Sequence, residues 1–171
     1  VGKPLGLLVS FMLPLLIGNI FQQLYNMVDS VIVGQYVGAD ALAAVGATGS
    51  LNFLIFSLCG GMANGTGVVI SQHFGAGKND QVKNTIINAA YIMLFCAVLM
   101  GGIGVIFARK ILIFLNTPDN ILDSSTLYMT IICCGILGVS LYNAVSAILR
   151  AVGDSRSPLY AQLAGGLVNV A

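Results

Sequence analysis

Pro14-Leu-Leu-Ile-Gly-Asn-Ile-Phe-Gln-Gln-Leu-Tyr-Asn-Met-Val-Asp29-Ser-Val-Ile-Val-Gly34 is long enough to cross a bilayer and carries a single charge, Asp29. About 20 predominantly apolar residues suffice for one crossing. A carboxylate at membrane depth costs about 2.5–3.5 kcal/mol on insertion scales, so residues of this kind mark ion, proton or substrate paths. At about 100° per residue, Gly18, Gln22, Tyr25 and Asn26 share a face with Asp29, and Asn19 lies at its edge. Ile17, Leu24, Val28, Val31 and Ile32 fall largely elsewhere. The polar face cannot look into lipid; it has to meet other helices or a water-filled cavity.

The rest of the chain has the same character. Hydrophobic residues make up 57% of the 171 and charged residues 8%, and the mean hydropathy is +0.94. A soluble domain carries about 25% charged residues, so this chain lacks the polar surface to coat a globule of its size. Apolar runs recur along the whole length, unlike a single cleavable leader. A start at Val1 and an end at Ala171 inside an apolar stretch suggest a piece of a longer protein. The net charge of +1 points to no nucleic acid or acidic partner. Cys59, Cys96, Cys133 and Cys134 all fall in apolar runs without metal-ligand spacing, and they read as small core filler. Adjacent Cys133 and Cys134 point different ways on a helix.

Hydropathy divides the chain into helices at roughly 5–34, 41–72, 84–108, 121–149 and 158–171, the last cut short. Pro14 marks a kink in the first, and Asp40 suits the N-cap of the second. Gly75 and Gly77 reverse the chain in a polar loop, and Ser157-Pro158 suits the start of the fifth helix. Ile111 to Leu115, after Arg109-Lys110, is too short to cross and reads as a separate interfacial turn. Alternating loops put Lys3, Lys78, Lys83, Arg150 and Arg156 on one side against Arg109 and Lys110 on the other. That bias favours a cytoplasmic N-terminus.

Two readings of the polar stripe stand side by side. Amides such as Gln22 and Asn26 hydrogen-bond across membrane helices as glue. An acid with no Lys or Arg in any span to pair with is a weaker kind of glue. A carboxyl in a low-dielectric setting favours its neutral form and ionises when water reaches it, which suits proton coupling. Asn143, with Ser140 and Ser146 nearby on the helix, makes a second polar face, and Asn169 lies in the fifth helix. Gly61-xxx-Gly65 permits close helix approach. The one histidine, His73, falls in a loop, Glu is absent, and neither a G-x-G-x-x-G nor a P-loop occurs, so enzyme signatures are lacking.

Gln22 and Leu24-Tyr25-Asn26 with Asp29, then Gly38 and Leu42-Ala-Ala-Val-Gly46, resemble the start of the multidrug and toxic compound extrusion (MATE) transporters. Ser71-Gln-His-Phe-Gly75-Ala-Gly, Phe114-Leu-Asn-Thr-Pro118 and Arg150-Ala-Val-Gly153-Asp154 through Pro158 continue the likeness in order, closest to the DinF-like branch. The resemblance implies an all-α, polytopic membrane helix bundle. This chain would be about four and a half helices of a twelve-helix, two-lobe transporter, all in the N-terminal lobe, with the C-terminal lobe missing. It implies a multi-pass protein of a prokaryotic cytoplasmic membrane, in contact with lipid, that exports cationic or amphipathic small molecules in exchange for H+ or Na+ and uses no cofactor. Asp29 matches the first-helix acid that binds the coupling cation, with a sodium ion near it as the alternative to a proton. Gln22, Tyr25 and Asn26 match its surroundings, Asn143 a fourth-helix contributor and Asn169 the fifth-helix asparagine. A lipid-linked oligosaccharide flippase of the same superfamily and a non-transporting membrane scaffold are the other readings. The first is disfavoured because no Arg or Lys lies in the spans to hold phosphate.

Overall fold

Every link between helices turns on one residue with a left-handed backbone: Gly38 (φ 113°), Gly77 (φ 70°), Asn116 (φ 56°) and Gly153 (φ 97°). Glycine adopts this conformation without a Cβ penalty and asparagine tolerates it, so short links reverse the chain sharply. The structure, a computed structural model, describes residues 4–170; Lys3 lies outside them. The described chain is helical throughout: α1 Pro4–Ile32, a π-helical turn Val33–Val37, α2 Ala39–Gly75, α3 Asn79–Phe114, α4 Asp119–Ala151 and α5 Arg156–Val170. α1 to α4 are each long and apolar enough to cross a bilayer.

Several boundaries differ from the sequence reading, each for a local reason. α3 does not stop at 108 before a separate interfacial turn; it runs unbroken to Phe114. Arg109 sits on its exposed flank, ion-paired with Asp123 of α4, and Lys110 lies 5.7 Å from the Phe107 ring. Exposed charges at a helix flank need not end it. The first helix carries on through Val37, and Gly38, not Asp40, occupies the N-cap of α2. Asp40 instead sits in the first turn, where a carboxylate is favoured by the helix dipole. The cap of α5 is Asp154 rather than Ser157. Its Oδ1 accepts the backbone N–H of Arg156 and of Ser157, each at 3.0 Å, and its Oδ2 accepts the Ser157 hydroxyl. Pro158 then falls in the first turn, where its missing N–H costs nothing.

α2, α3 and α4 pack on one another as the core, while α1 pairs with α5 and α5 also touches α4. Ile55, Cys59, Ala108, Met129, Cys133 and Ile136 fill one layer of the seam; Ala63, Met93 and Ala147 fill another. Helices in lipid gain little from apolar burial and associate by close packing, which small residues allow. A Cβ on Gly104 would come within 2.2 Å of Cys133 Sγ, and one on Gly101 within 2.9 Å of Ile136 Cγ2. Those two glycines, not Gly61 and Gly65, bring helices together here; a Cβ on either of the latter would meet nothing within 4 Å. Cys133 is buried and its neighbour Cys134 exposed, as helical geometry requires. Gly18 is the one buried residue of α1 among those described, because a Cβ there would come 2.9 Å from Gln162 Oε1 and 3.4 Å from Leu159 of α5.

Candidate functional site

The close approach at Gly18 sets the face that α1 turns toward α5. One helical turn on, Gln162 Nε2 donates to Gln22 Oε1 at 3.0 Å. Another turn on, the Tyr25 ring lies 3.5 Å from where a Cβ on Gly166 would stand. Glycine at 165 and 166 keeps α5 slim there, and an open cleft of about 570 Å³ remains between α1, α4 and α5. Gln22 and Tyr25 line it from α1, Tyr142 and Asn143 from α4, and Gln162 from α5. Phe56 of α2 supplies an aromatic wall. Two elements far apart in the chain thus bring the predicted Gln22, Tyr25 and Asn143 to one place.

The polar groups of the cleft are partly committed. Asn143 Nδ2 donates to the Val139 carbonyl at 3.0 Å, one turn back in α4. Its Oδ1 accepts no hydrogen bond among the described residues. The Tyr142 hydroxyl donates to the Pro158 carbonyl at 3.3 Å, which ties α4 to the start of α5. Among the described residues no Lys, Arg or His lines the cleft. It offers amide and phenol groups among apolar walls.

Asp29 and Asn26 do not line this cleft. They lie farther along the same stripe and are exposed. Asn26 contributes its backbone carbonyl to the Ser30 hydroxyl at 2.9 Å. Asp29 has no hydrogen bond or ion pair among the described residues. The stripe therefore joins α5 at Gly18 and Gln22 and leaves Asn26 and Asp29 exposed beyond that contact. Asn169 lies in the last turn of α5, and its side chain is outside those described. Sequence reasoning missed Gln162 and Tyr142. The signal for Gln162 was a polar residue in the otherwise apolar Ala161-Gln-Leu-Ala-Gly-Gly166; the tyrosine gave none, since tyrosine is common in apolar helices. Among the described residues no three Asp, Glu, His or Cys side chains gather as a metal site.

A bundle of membrane-spanning helices with a polar cleft inside it places the chain in the class of polytopic membrane proteins. The chain belongs to the MatE family, whose sequence model matches residues 14–171. It is 32% identical over 161 residues to a probable multidrug resistance protein, YoeA, of Bacillus subtilis, covering 94% of this chain and 35% of that protein. It is 28% identical over 162 residues to a probable multidrug resistance protein, NorM, of Thermotoga maritima, covering 95% of this chain and 34% of that one. The chain thus spans about a third of the length of the curated relatives it matches. In fold it resembles the crystal structure of MATE in the bent conformation, with a TM-score of 0.90 and 24% identity, over 99% of this chain and 38% of the other.

Proposed function

We propose that the whole protein is a secondary active antiporter that exports cationic or amphipathic compounds in exchange for H+ or Na+, and that this chain is part of its N-terminal lobe. The observation that carries the reading is the cleft in which Gln22 and Tyr25 of α1 meet Asn143 of α4 and Gln162 of α5. Membrane helices do not spend polar side chains on an open cavity without a polar guest. In this reading the cleft holds the polar part of the cargo, and Asp29, with Asn26 beside it and Asn169 on α5, holds the coupling proton or sodium ion.

The stripe offers a route for coupling. Asp29, Tyr25 and Gln22 lie on one helix, so a change of charge at Asp29 acts on the same rigid element that walls the cleft. Protonation removes the charge, alters how α1 sits against α4 and α5, and weakens the hold on a cation. Pro14 lacks an N–H and leaves a carbonyl one turn back free of its helical bond, which makes it the pivot. The rest of the cavity, and the second lobe needed for alternating access, come from the remainder of the protein. The protein would sit in a prokaryotic cytoplasmic membrane with its N-terminus inside.

Export by the full-length protein carrying Asp29→Asn tests the role of the acid. The expected result is loss of coupled export, at least tenfold (about 1.4 kcal/mol), with cation binding weakened and no longer dependent on pH. Undiminished export across the pH range sinks it. A flippase for phosphate-linked sugars is less well supported, because no Lys or Arg lines the cleft. A scaffold is less well supported, because the stripe borders an open cleft rather than a dry seam.

A further inference from the structure

Arg150 ends α4 half-buried, and among the described residues its guanidinium makes no hydrogen bond or ion pair. It borders a cleft of about 400 Å³ between α1, α2 and α4, walled by Phe11, Asn64, Val68 and Ser71. Among the described residues no acid lines this cleft. Phe11 also borders a second cleft, which holds Ser10, Asp154 and Arg156. There the Asp154 carboxylate is engaged by two backbone N–H groups and the Ser157 hydroxyl. Lys78 and Lys83 lie at the same end of the bundle, whereas the Arg109–Asp123 ion pair lies at the opposite end. The outer surface of α1 beside Phe11 is apolar, with Leu8 and Met12 exposed.

We propose that the Arg150 cleft binds the phosphate of an anionic phospholipid. A guanidinium presents a planar fork of donors that matches two phosphate oxygens. Asn64, with no hydrogen bond of its own among the described residues, supplies a neutral donor beside it. The acyl chains then lie along Phe11, Leu8 and Met12. A free phosphate would make no use of that apolar wall. A zwitterionic lipid would bring an ammonium group for which the cleft holds no carboxylate. Basic pockets between membrane helices recognise anionic headgroups by this combination of charge and apolar flank. The site is separate from the cargo cleft and does not depend on the transport reading.

The test uses the full-length protein in detergent, mixed with phosphatidylglycerol or with phosphatidylcholine of the same chains, with bound lipid counted by native mass spectrometry. Phosphatidylglycerol is expected to be held about tenfold more tightly, and Arg150→Gln to bring the two lipids to near parity. Ser71→Glu, at an exposed position on α2, carries the same test without touching α4, and it too is expected to abolish the preference. Equal binding of the two lipids by the unmodified protein, or a preference that survives either substitution, overturns the proposal. Displacement of phosphatidylglycerol by inorganic phosphate at equal concentration reassigns the site to a free anion and also overturns it. Failure of phosphate to compete supports the lipid.

Discussion

Gln162 Nε2 and Gln22 Oε1 meet at 3.0 Å across 140 residues of chain, and this bond is the polar contact between α1 and α5. α1 makes its main packing contact with α5 rather than with the core, so the bond and the Gly18 approach beside it set the rotation of α1. That rotation decides which α1 side chains reach the cleft.

The two glutamines are therefore expected to be coupled. In a double-mutant cycle with Gln22→Leu and Gln162→Leu, thermal unfolding of the full-length protein should give a coupling of about 0.6 kcal/mol, the usual size for a hydrogen bond between membrane helices. Repeating the cycle in Gly18→Ala should shrink it, because the new Cβ would stand 2.9 Å from Gln162 Oε1 and push that amide aside. Additive effects in the first cycle would mean that the bond does not hold the helices.

Gly104 and Cys133 are predicted to be exchangeable only as a pair. Gly104→Ala places a Cβ within 2.2 Å of Cys133 Sγ, and overpacking of this kind costs about 1–3 kcal/mol. Cys133→Ala removes the sulfur, leaving the nearest atom at 3.2 Å, and should restore most of the lost stability. A Gly104→Ala protein as stable as the parent in detergent would refute the close packing of α3 on α4.

Asp154 should make the start of α5 sensitive to acid. The Ser157 hydroxyl, then the Ser157 and Arg156 backbone N–H groups and the Arg156 charge, hold its carboxyl below the usual carboxylate range. A lowered value means that the folded state favours the ionised form. The cap is thus fully present above the ordinary carboxylate range and is lost as pH falls through the lowered value. Protection of the Arg156 and Ser157 amides from hydrogen exchange, relative to their intrinsic rates at each pH, should fall over that acid window, and in Asp154→Ala it should be low at every pH. Exchange in that variant as slow as in the parent would remove Asp154 from the role of cap.

Gly165 separates room for a guest from stability of the fold. A Cβ there meets nothing within 4 Å, yet the residue lines the cleft between α1, α4 and α5. Gly165→Leu should leave the melting temperature nearly unchanged and weaken binding of a bulky cationic dye by the full-length protein about tenfold. A fall in stability with unchanged dye affinity would place the cargo elsewhere.

The membrane fold was legible in the sequence because lipid imposes length and apolarity on each span, and a lone acid such as Asp29 stands out against that background. Helix ends were less legible. Asp154, Ser155 and Ser157 are all good caps by composition, and only the backbone path selects Asp154. The pair Arg109-Lys110 looked like a break, but charges on an exposed flank leave the backbone ladder of α3 intact.

By itself the sequence determined that these helices cross a membrane, and that Gln22, Tyr25, Asn26 and Asp29 share a face of the first. It did so because helical periodicity is a local property of the chain. Only the tertiary structure decided that this face divides, with Gln22 and Tyr25 entering a cleft with Asn143 and Gln162 while Asn26 and Asp29 lie outside it. It also decided that Gly101 and Gly104 rather than Gly61 and Gly65 bring helices together. The physical reason is that which small residue meets which neighbour depends on the rotation and depth of two helices at once. That relation arises between segments, and no window of sequence contains it.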